Sequence, residues 1–405
     1  MNDSTNKDRV RICLLTPRGA GAIGSLKAWG PGAIELADRV FRPAFGARLI
    51  ETPPGRSRLG RIGAGTGDEV VVSIDDLKYL QILESIGLAR FESVEVHCHG
   101  GAAAIELVTR AFVEAGAERV DASRWTIETS PSGLIAEARR ALEGASTTRV
   151  AKILLDQAAG AIDREIVEIL EMIDRDPDSA LERIRRLIAR GSWGTKLVEG
   201  FRVVIAGKPN VGKSRLLNAL AGYGRAIVDP APGTTRDLVT ERTAIDGLPV
   251  ELVDTAGIRE TTREIESMGI DLAIKAYKSA DLVILLFDRS RPLDRDDFKL
   301  IDELAPFAPI QTANKADLAC AWSETEVERI GVDRSRLVVS AERGDGLDVL
   351  IATIADRLVA DPPPPGSAVP FRESTLRTLQ EAETRLKQND LKAAVPILGS
   401  LFTKN

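Results

Sequence analysis

The run "GKPNVGKS", residues 207–214, has the spacing G-x-x-x-x-G-K-[ST] and stands between a strand-like "FRVVIAG" and a helix-like "RLLNALAG". In that setting a glycine loop and a helix N-terminus aim several backbone N–H groups at one point, which suits a phosphate. Asn210, Val211, Gly212, Lys213, Ser214 and Arg215 are the expected nucleotide contacts. Lys213 would reach the β- and γ-phosphates, and Ser214 would ligate Mg²⁺. Further motifs follow in order. "DPAPGTT" contributes Asp229, Gly233, Thr234 and Thr235, with Thr235 as the second Mg²⁺ ligand. "DTAG" contributes Asp254, Thr255, Ala256 and Gly257. Asp254 would help hold the Mg²⁺ shell, and the Gly257 N–H would meet the terminal phosphate. "NKAD" contributes Asn314, Lys315 and Asp317. Asp317 can accept from guanine N1–H and N2–H, a donor pair that adenine lacks, while Asn314 braces the loop. Ser340 and Ala341 of "SAERG" suit the last base-contacting loop. Together these imply a domain that binds and hydrolyses GTP. After "DTAG" many such enzymes carry a Gln that orients the attacking water. Here the residue is Ile258. An isoleucine cannot position water, so another residue must.

The elements that hold these motifs can be read from pattern. From 201 to 360, "FRVVIAG", "VELVDTAG", "DLVILLFD", "PIQTANKAD" and "RLVVSA" read as strands alternating with helices. That implies a mostly parallel sheet covered by helices. Residues 10–120 read as α/β, with "VRICLL" and "SVEVHC" as strands and "RLGRIGAGTGDEVVV" as two strands around a glycine turn. "GGAAAIELVTRAFVEAGA" reads as a helix ending at Gly116. Residues 130–198 read as almost wholly helical, with Ile162, Ile166, Ile169 and Ile173 on one face. "DPPPPG", 361–366, reads as a stiff linker, and helix resumes in "ESTLRTLQEAETRLKQ". The expected fold class is α/β. A P-loop GTPase domain with a mostly parallel sheet is inserted into an all-helical domain, and an α/β N-terminal domain precedes both. The expected segments are 1–122 (N-terminal α/β), 123–199 (the first stretch of the helical domain), 200–360 (GTPase) and 361–405 (linker and the remainder of the helical domain).

Bulk composition narrows the class. The chain has 405 residues, 44% of them hydrophobic, enough for two or three domains with real cores. Its net charge of −6 argues against a globally basic nucleic-acid binder, though not against a local basic patch. Cys13, Cys98 and Cys320 are odd in number and widely spaced, which points to a reducing compartment rather than a disulfide framework. The polar start "MNDSTNKDR" carries no secretory pattern, and no apolar run is long enough for a bilayer. A cytoplasmic protein with no membrane partner is expected.

Three weaker signals compete with blander explanations. "GAGAIG", 19–24, fits G-x-G-x-x-G, but Gly30, Pro31 and Gly32 interrupt the helix that a dinucleotide site needs. In "HCHGG", 97–101, alternation lets only His97 and His99 converge, so a strand-to-helix turn is favoured over a metal site. Arg183, Arg185, Arg186 and Arg190 fit an RNA backbone and a solvated, ion-paired helix face equally well.

With the nucleotide motifs, "TPRGAGAIG", "HCHGG" and "LIAEARRAL" make the chain resemble the MnmE (TrmE) family of tRNA modification GTPases over most of its length. The resemblance implies that Glu266, twelve residues after Asp254, organises the water; Arg259 is grouped with it as catalytic. It also implies K⁺ beside the β- and γ-phosphates, held by Asn210 and by switch I at Asp229, Ala231 and Thr234. The cation would stand where an arginine finger stands elsewhere and would favour face-to-face pairing of two G domains. The implied partners are tRNA, an MnmG-type flavoprotein and a second copy joined through the N-terminal domain. The implied reaction is modification of the wobble uridine, with 5-formyl-tetrahydrofolate as one-carbon source. For the folate, this chain offers Lys27 where the family has arginine, keeps Glu95, and has Ser130 where the family has lysine. Arg and Lys are not equivalent where a planar fork meets a carboxylate. The family ends in a C-I-G-K tail, whereas this sequence ends in "ILGSLFTKN". A competent GTPase with weak or absent modification activity of the usual kind is therefore expected. The alternative is a K⁺-stimulated GTPase switch on tRNA or ribosomal RNA without the one-carbon chemistry.

Overall fold

The computed structural model describes residues 9–17, 21–63, 67–75, 92–223, 239–254, 274–323, 325–326 and 337–403. The chain divides into two compact units, Met1–Arg140 with Phe402–Asn405, and Ala141–Leu401.

In the first unit the order is β1 (Arg11–Leu14), β2 (Ile23–Trp29), α1 (Ala33–Val40), β3 (Phe41–Pro43), β4 (Ser57–Ile62), β5 (Asp68–Ile74), β6 (Ser93–His99), α2 (Ala102–Glu114), β7 (Glu118–Arg119) and α3 (Ala122–Thr129), followed by α4 (Gly133–Glu143), whose last residues from Ala141 belong to the second unit. The seven strands run β3-β4-β5-β6-β2-β1-β7, antiparallel except for the β1–β7 pair. Strand alternation sorts the side chains. Leu26, Ala28, Val94, Val96 and Cys98 join Leu36 of α1 and Phe112 of α2 in one core. Lys27 and Glu95, directly opposite each other in the β2–β6 register, take the other face. There α3 packs, with the Trp125 ring edge-on to Trp29 at 5.2 Å and the Glu128 carboxylate accepting from Trp29 Nε1 at 2.8 Å. The expected boundary at 122 thus precedes a helix that packs on this sheet.

The second unit contains α5 (Thr148–Ala158), α6 (Ala161–Met172), α7 (Pro177–Gly194), β8 (Phe201–Ala206), α8 (Lys213–Tyr223), β9 (Val239–Ile245), β10 (Leu248–Asp254), β11 (Leu282–Asp288), α9 (Arg295–Leu304), β12 (Ile310–Asn314), α10 (Leu347–Leu358), α11 (Glu373–Lys387) and α12 (Leu391–Gly399). The four isoleucines of α6 and its C-terminus, Ile162 to Ile173, are fully buried. Pro177 opens α7 at its first turn, where a missing N–H costs nothing, behind the Asp176 cap on the Ser179 N–H. After the prolines the chain returns to these helices. The buried Gln157 donates to the Ser367 carbonyl and accepts from the Val369 N–H. α11 then lies against α7, where the chain approaches so closely that a Cβ on Gly194 would sit 2.1 Å from the Pro370 carbonyl oxygen.

The G-domain sheet runs β12-β11-β8-β10-β9, parallel except for β9. Both its faces are buried, which is why β8 is apolar apart from Arg202 and β11 is apolar up to its terminal Asp288. Val203 and Ile205 face a core shared with α8 and α10, while Val204 and Ala206 face one with α9 and Trp322. Two expectations change here. "RLVVSA" forms no full strand among the described residues, only the parallel bridge Ala313↔Val338. Pairing stops because Ser340 turns away, its N–H bonded to the Asp345 carbonyl. The sequence reading also overlooked β9, an edge strand with a largely polar sequence. Its turn into β10 is tethered to α5: Thr147 Oγ1 donates to the Gly247 carbonyl at 2.6 Å, and Arg149 bonds the Asp246 carbonyl at 2.9 Å and its carboxylate.

Candidate nucleotide site

β8 is the strand from which the chain first goes to one side of the sheet (β10, β9) and then to the other (β11, β12). Ligands of open α/β sheets bind at the carboxyl end of such a switch point, and the loop 207–212 leaves β8 there. Gly207, at φ 148°, passes so near β11 that a Cβ would lie 2.5 Å from the Leu286 carbonyl oxygen. A Cβ on Gly212 would lie 2.3 Å from Asn314 Nδ2. Both positions require glycine, and Asn210 adopts the left-handed region at φ 64°. The loop surrounds a cavity of about 520 Å³, lined among others by Asn210, Lys213, Ser214, Arg215, Asp317 and Ala341.

Lys213 Nζ donates to the carbonyls of Gly207 at 3.0 Å and Lys208 at 2.9 Å, across the mouth of the loop. Ser214 Oγ donates to Asp254 Oδ2 at 2.5 Å, joining the first turn of α8 to the end of β10. These are a hydroxyl and a carboxylate, the hard oxygen donors that Mg²⁺ takes.

Asn314 is the central brace. Its Nδ2 donates to the Val211 carbonyl at 2.8 Å, and its Oδ1 accepts the Ala341 N–H at 3.0 Å. One buried amide thus ties the phosphate loop to the base loop. Ser340 Oγ donates to Asp317 Oδ1 at 2.7 Å. That bond, foremost, holds the Asp317 carboxyl below the ordinary carboxylate range. Arg215 pairs with Glu342 at 2.9 Å across the cavity. Val211 is buried in the core beneath the loop.

The sequence reading missed two supports. Lys208 bonds Asp297 at 3.1 Å and also Asp294, securing the loop to the start of α9. Lys315, at φ 65°, bonds Asp288 at 2.6 Å. Burial pushes the Asp288 carboxyl up, but Lys315 and Ser290 together hold it low. The usable signal for Asp288 was a carboxylate ending an otherwise apolar strand. Asp229, Ala231, Gly233, Thr234 and Thr235, and Thr255, Ala256, Gly257, Arg259 and Glu266, lie outside the described residues.

In the first unit, Lys27 Nζ sits between Asp75 at 2.6 Å and Glu95 at 3.6 Å, over the Trp125 ring at 5.2 Å. Glu95 also faces His97 at 3.6 Å. Lys27 and Glu95 are therefore brought together, with Asp75 an unforeseen third member. Ser130 is buried apart from them, donating to the Thr126 carbonyl and accepting from Arg139. Cys98 lies in the opposite core, where burial pushes its thiol up to about 11. Among the described residues no group of three or more His, Cys, Asp and Glu side chains could hold a metal ion. His99 instead contacts Asp68 at 2.9 Å.

The β8 switch point, the phosphate loop, and the Asn314 and Asp317 braces define a P-loop GTPase, an enzyme that hydrolyses GTP. Residues 202–315 match the family described as 50S ribosome-binding GTPase. The likeness to curated proteins extends well beyond that domain. The chain is 33% identical to the tRNA modification GTPase MnmE of Chloroflexus aurantiacus, over 96% of this chain and 94% of that one. It is 30% identical to that of Acetivibrio thermocellus, over 87% of this chain and 82% of that one, and 32% identical to that of Moorella thermoacetica, over 86% and 82%. The chain belongs to the MnmE family of tRNA modification GTPases.

Proposed function

We propose that this protein hydrolyses GTP to drive modification of the wobble uridine of tRNA, together with an MnmG-type flavoprotein. The carrying observation is that family identity spans 96% of the chain, including both flanks of the G domain. In this reading residues 200–360 are a GTPase domain set between helical segments 123–199 and 361–405, after an N-terminal domain 1–122. The return of 367–370 onto α5 and α7 supports that arrangement. The protein acts as a homodimer through its N-terminal domain and pairs its G domains during hydrolysis. It works in the cytoplasm; among the described residues no helix is long and apolar enough to cross a membrane.

The chain's own groups divide the work. Backbone N–H groups of the phosphate loop and Lys213 hold the phosphates, and Asp317 selects guanine. Ser214, with Asp254 behind it and Thr235 from switch I, would hold Mg²⁺, which supplies neutralising charge at the β- and γ-phosphates. Asn210, Asp229, Ala231 and Thr234 would hold K⁺. Hydrolysis is accordingly faster in K⁺ than in Na⁺ at equal ionic strength, and Asn210→Ala removes the difference. Equal steady-state turnover of the wild type in both salts refutes the K⁺ assignment.

One observation favours the second reading, a GTPase switch on RNA without one-carbon chemistry. The Lys27 ammonium is already flanked by two carboxylates, Asp75 and Glu95, so less of its charge is left for a folate carboxylate. Expression in bacteria that lack their own enzyme, followed by mass spectrometry of tRNA wobble uridines, decides between the two. Restoration of the modified uridine supports the first reading; GTP turnover without any modified uridine supports the second.

A further inference from the structure

The helix α7 carries four arginines, and their surroundings separate them into two pairs. Arg183 bonds Glu165 at 2.8 Å and also Glu168, and Arg185 bonds Glu383 at 3.1 Å. Those two charges are answered by carboxylates. Arg190 donates only to the Ala368 carbonyl, and Arg186 has no hydrogen bond or ion pair among the described residues. Arg186 and Arg190 are one helical turn apart, so they share a face. They form the common wall of two adjoining cavities, one of about 430 Å³ and one of about 380 Å³.

Carboxylates line both cavities too, Asp281 and Asp361 in the larger and Glu165 and Glu168 in the smaller. Lys196 pairs with Asp281 and Arg183 with both glutamates, so arginines remain in excess, and each cavity adds one bonded only to a carbonyl. On one side Arg357 donates to the Ala308 carbonyl; on the other Arg164 donates to the Ala159 carbonyl. A guanidinium has five donors, and a carbonyl neutralises none of its charge. Arg164, Arg186, Arg190 and Arg357 are thus cations with neutral partners or none, gathered along one groove of an otherwise acidic chain (net charge −6). Trp193, half-buried, lines the larger cavity and offers a ring at its wall. Guanidinium groups spaced along a groove beside an aromatic ring suit a nucleic-acid strand, whose phosphates pair with the former and whose unstacked bases stack on the latter. A single small phosphate would engage one cavity and leave the other empty.

We propose that this two-lobed groove along α7 holds the sugar–phosphate backbone of RNA, with Arg186 as its central contact. The inference rests on the reading of the protein as one that acts on tRNA. The test is fluorescence polarisation of a labelled tRNA transcript with the full chain. Saturating GDP is present, so that free phosphates do not act at the nucleotide site. Arg186→Glu should weaken binding about tenfold and make the dependence of log K on log salt shallower by about 1, the expected change for losing one phosphate contact and adding a repulsion. Arg185→Glu, outside both cavities, is the control and should change little. GTP affinity serves as the check that each variant is folded. If the wild type binds tRNA and Arg186→Glu binds equally well, the groove is not the contact surface, although the tRNA reading stands. If the wild type binds no tRNA at any salt, that reading falls and the groove assignment with it. Pyrophosphate is the competing probe, against a single-stranded RNA at equal phosphate concentration. Equal displacement by the two would assign the groove to a small anion and overturn the proposal.

Discussion

Asp317→Asn is expected to turn a GTP-binding protein into one that prefers xanthosine triphosphate. The carboxylate can accept from guanine N1–H and N2–H together, and Ser340 Oγ fixes it from the other side at 2.7 Å. Because Ser340 donates to one oxygen, an asparagine here keeps its carbonyl toward Ser340 and turns its NH₂ toward the base. That donor opposes the guanine 2-amino group but suits the 2-carbonyl of xanthine. A site built around specific hydrogen bonds rejects a ligand that leaves them unmade by large factors. The loss of GTP affinity should reach about 10²-fold or more on that basis. Titration of the wild type and variant with fluorescent GTP, XTP and ATP measures it. Equal wild-type affinity for ATP and GTP would remove Asp317 from the base site altogether.

The second large effect belongs to Glu266. Among the described residues, the carboxylates lining the nucleotide cavity are Asp317 and Glu342, on the two base-side loops. Neither is placed to orient water at the terminal phosphate, and Ile258 has no polar atom to do so. The family resemblance gives that task to Glu266. Positioning or proton transfer by one carboxylate is worth about 10²–10⁴ in rate. Glu266→Ala should lower kcat by such a factor while nucleotide affinity stays nearly unchanged. Glu264→Ala, two residues earlier, is the matched control. Single-turnover rates that fall alike in both variants would show that Glu266 has no special place.

The regions of the site that sequence made legible are those whose backbone admits few residue types. Gly207 and Gly212 leave no room for a Cβ, so the loop announces itself by spacing. Asn314 and Asp317 stand in a short contiguous motif for the same reason: three loops converge on them. What stayed hidden depends on partners remote in sequence. Nothing local tells Lys208 that it will meet Asp294 and Asp297, or Lys27 that it will meet Asp75 as well as Glu95. β9 escaped notice because "VTERTAI" pairs on one side only and so lacks the largely apolar sequence of β8 and β11. "RLVVSA" misled in the opposite direction. It has the composition of a strand, but Ser340 and its neighbours are spent on the base loop. The edge-on contact of Trp125 in α3 with Trp29 in β2, like the pairings of Lys27, joins residues remote in sequence.

The close seating of 367–376 on α7, where Gly191 and Gly194 make room for Pro370 and Leu376, bears on the order in which the chain can fold. Those contacts join segments separated in sequence by the whole G domain. Closing so long a loop costs chain entropy before any contact is gained, and contacts of high sequence separation slow folding. The G domain's ends relieve this. Phe201 at its start and Leu358 near its end belong to the same core and line the same cavity. Once the sheet of β8 to β12 has formed, α7 and the 361–370 segment emerge side by side, and the loop left to close is short. Folding of the sheet first is the route with the smaller loop to close, and on that route a mutation that slows the sheet is expected to delay the burial of Gln157, Gly191 and Gly194 as well, which site-resolved hydrogen exchange during refolding would measure.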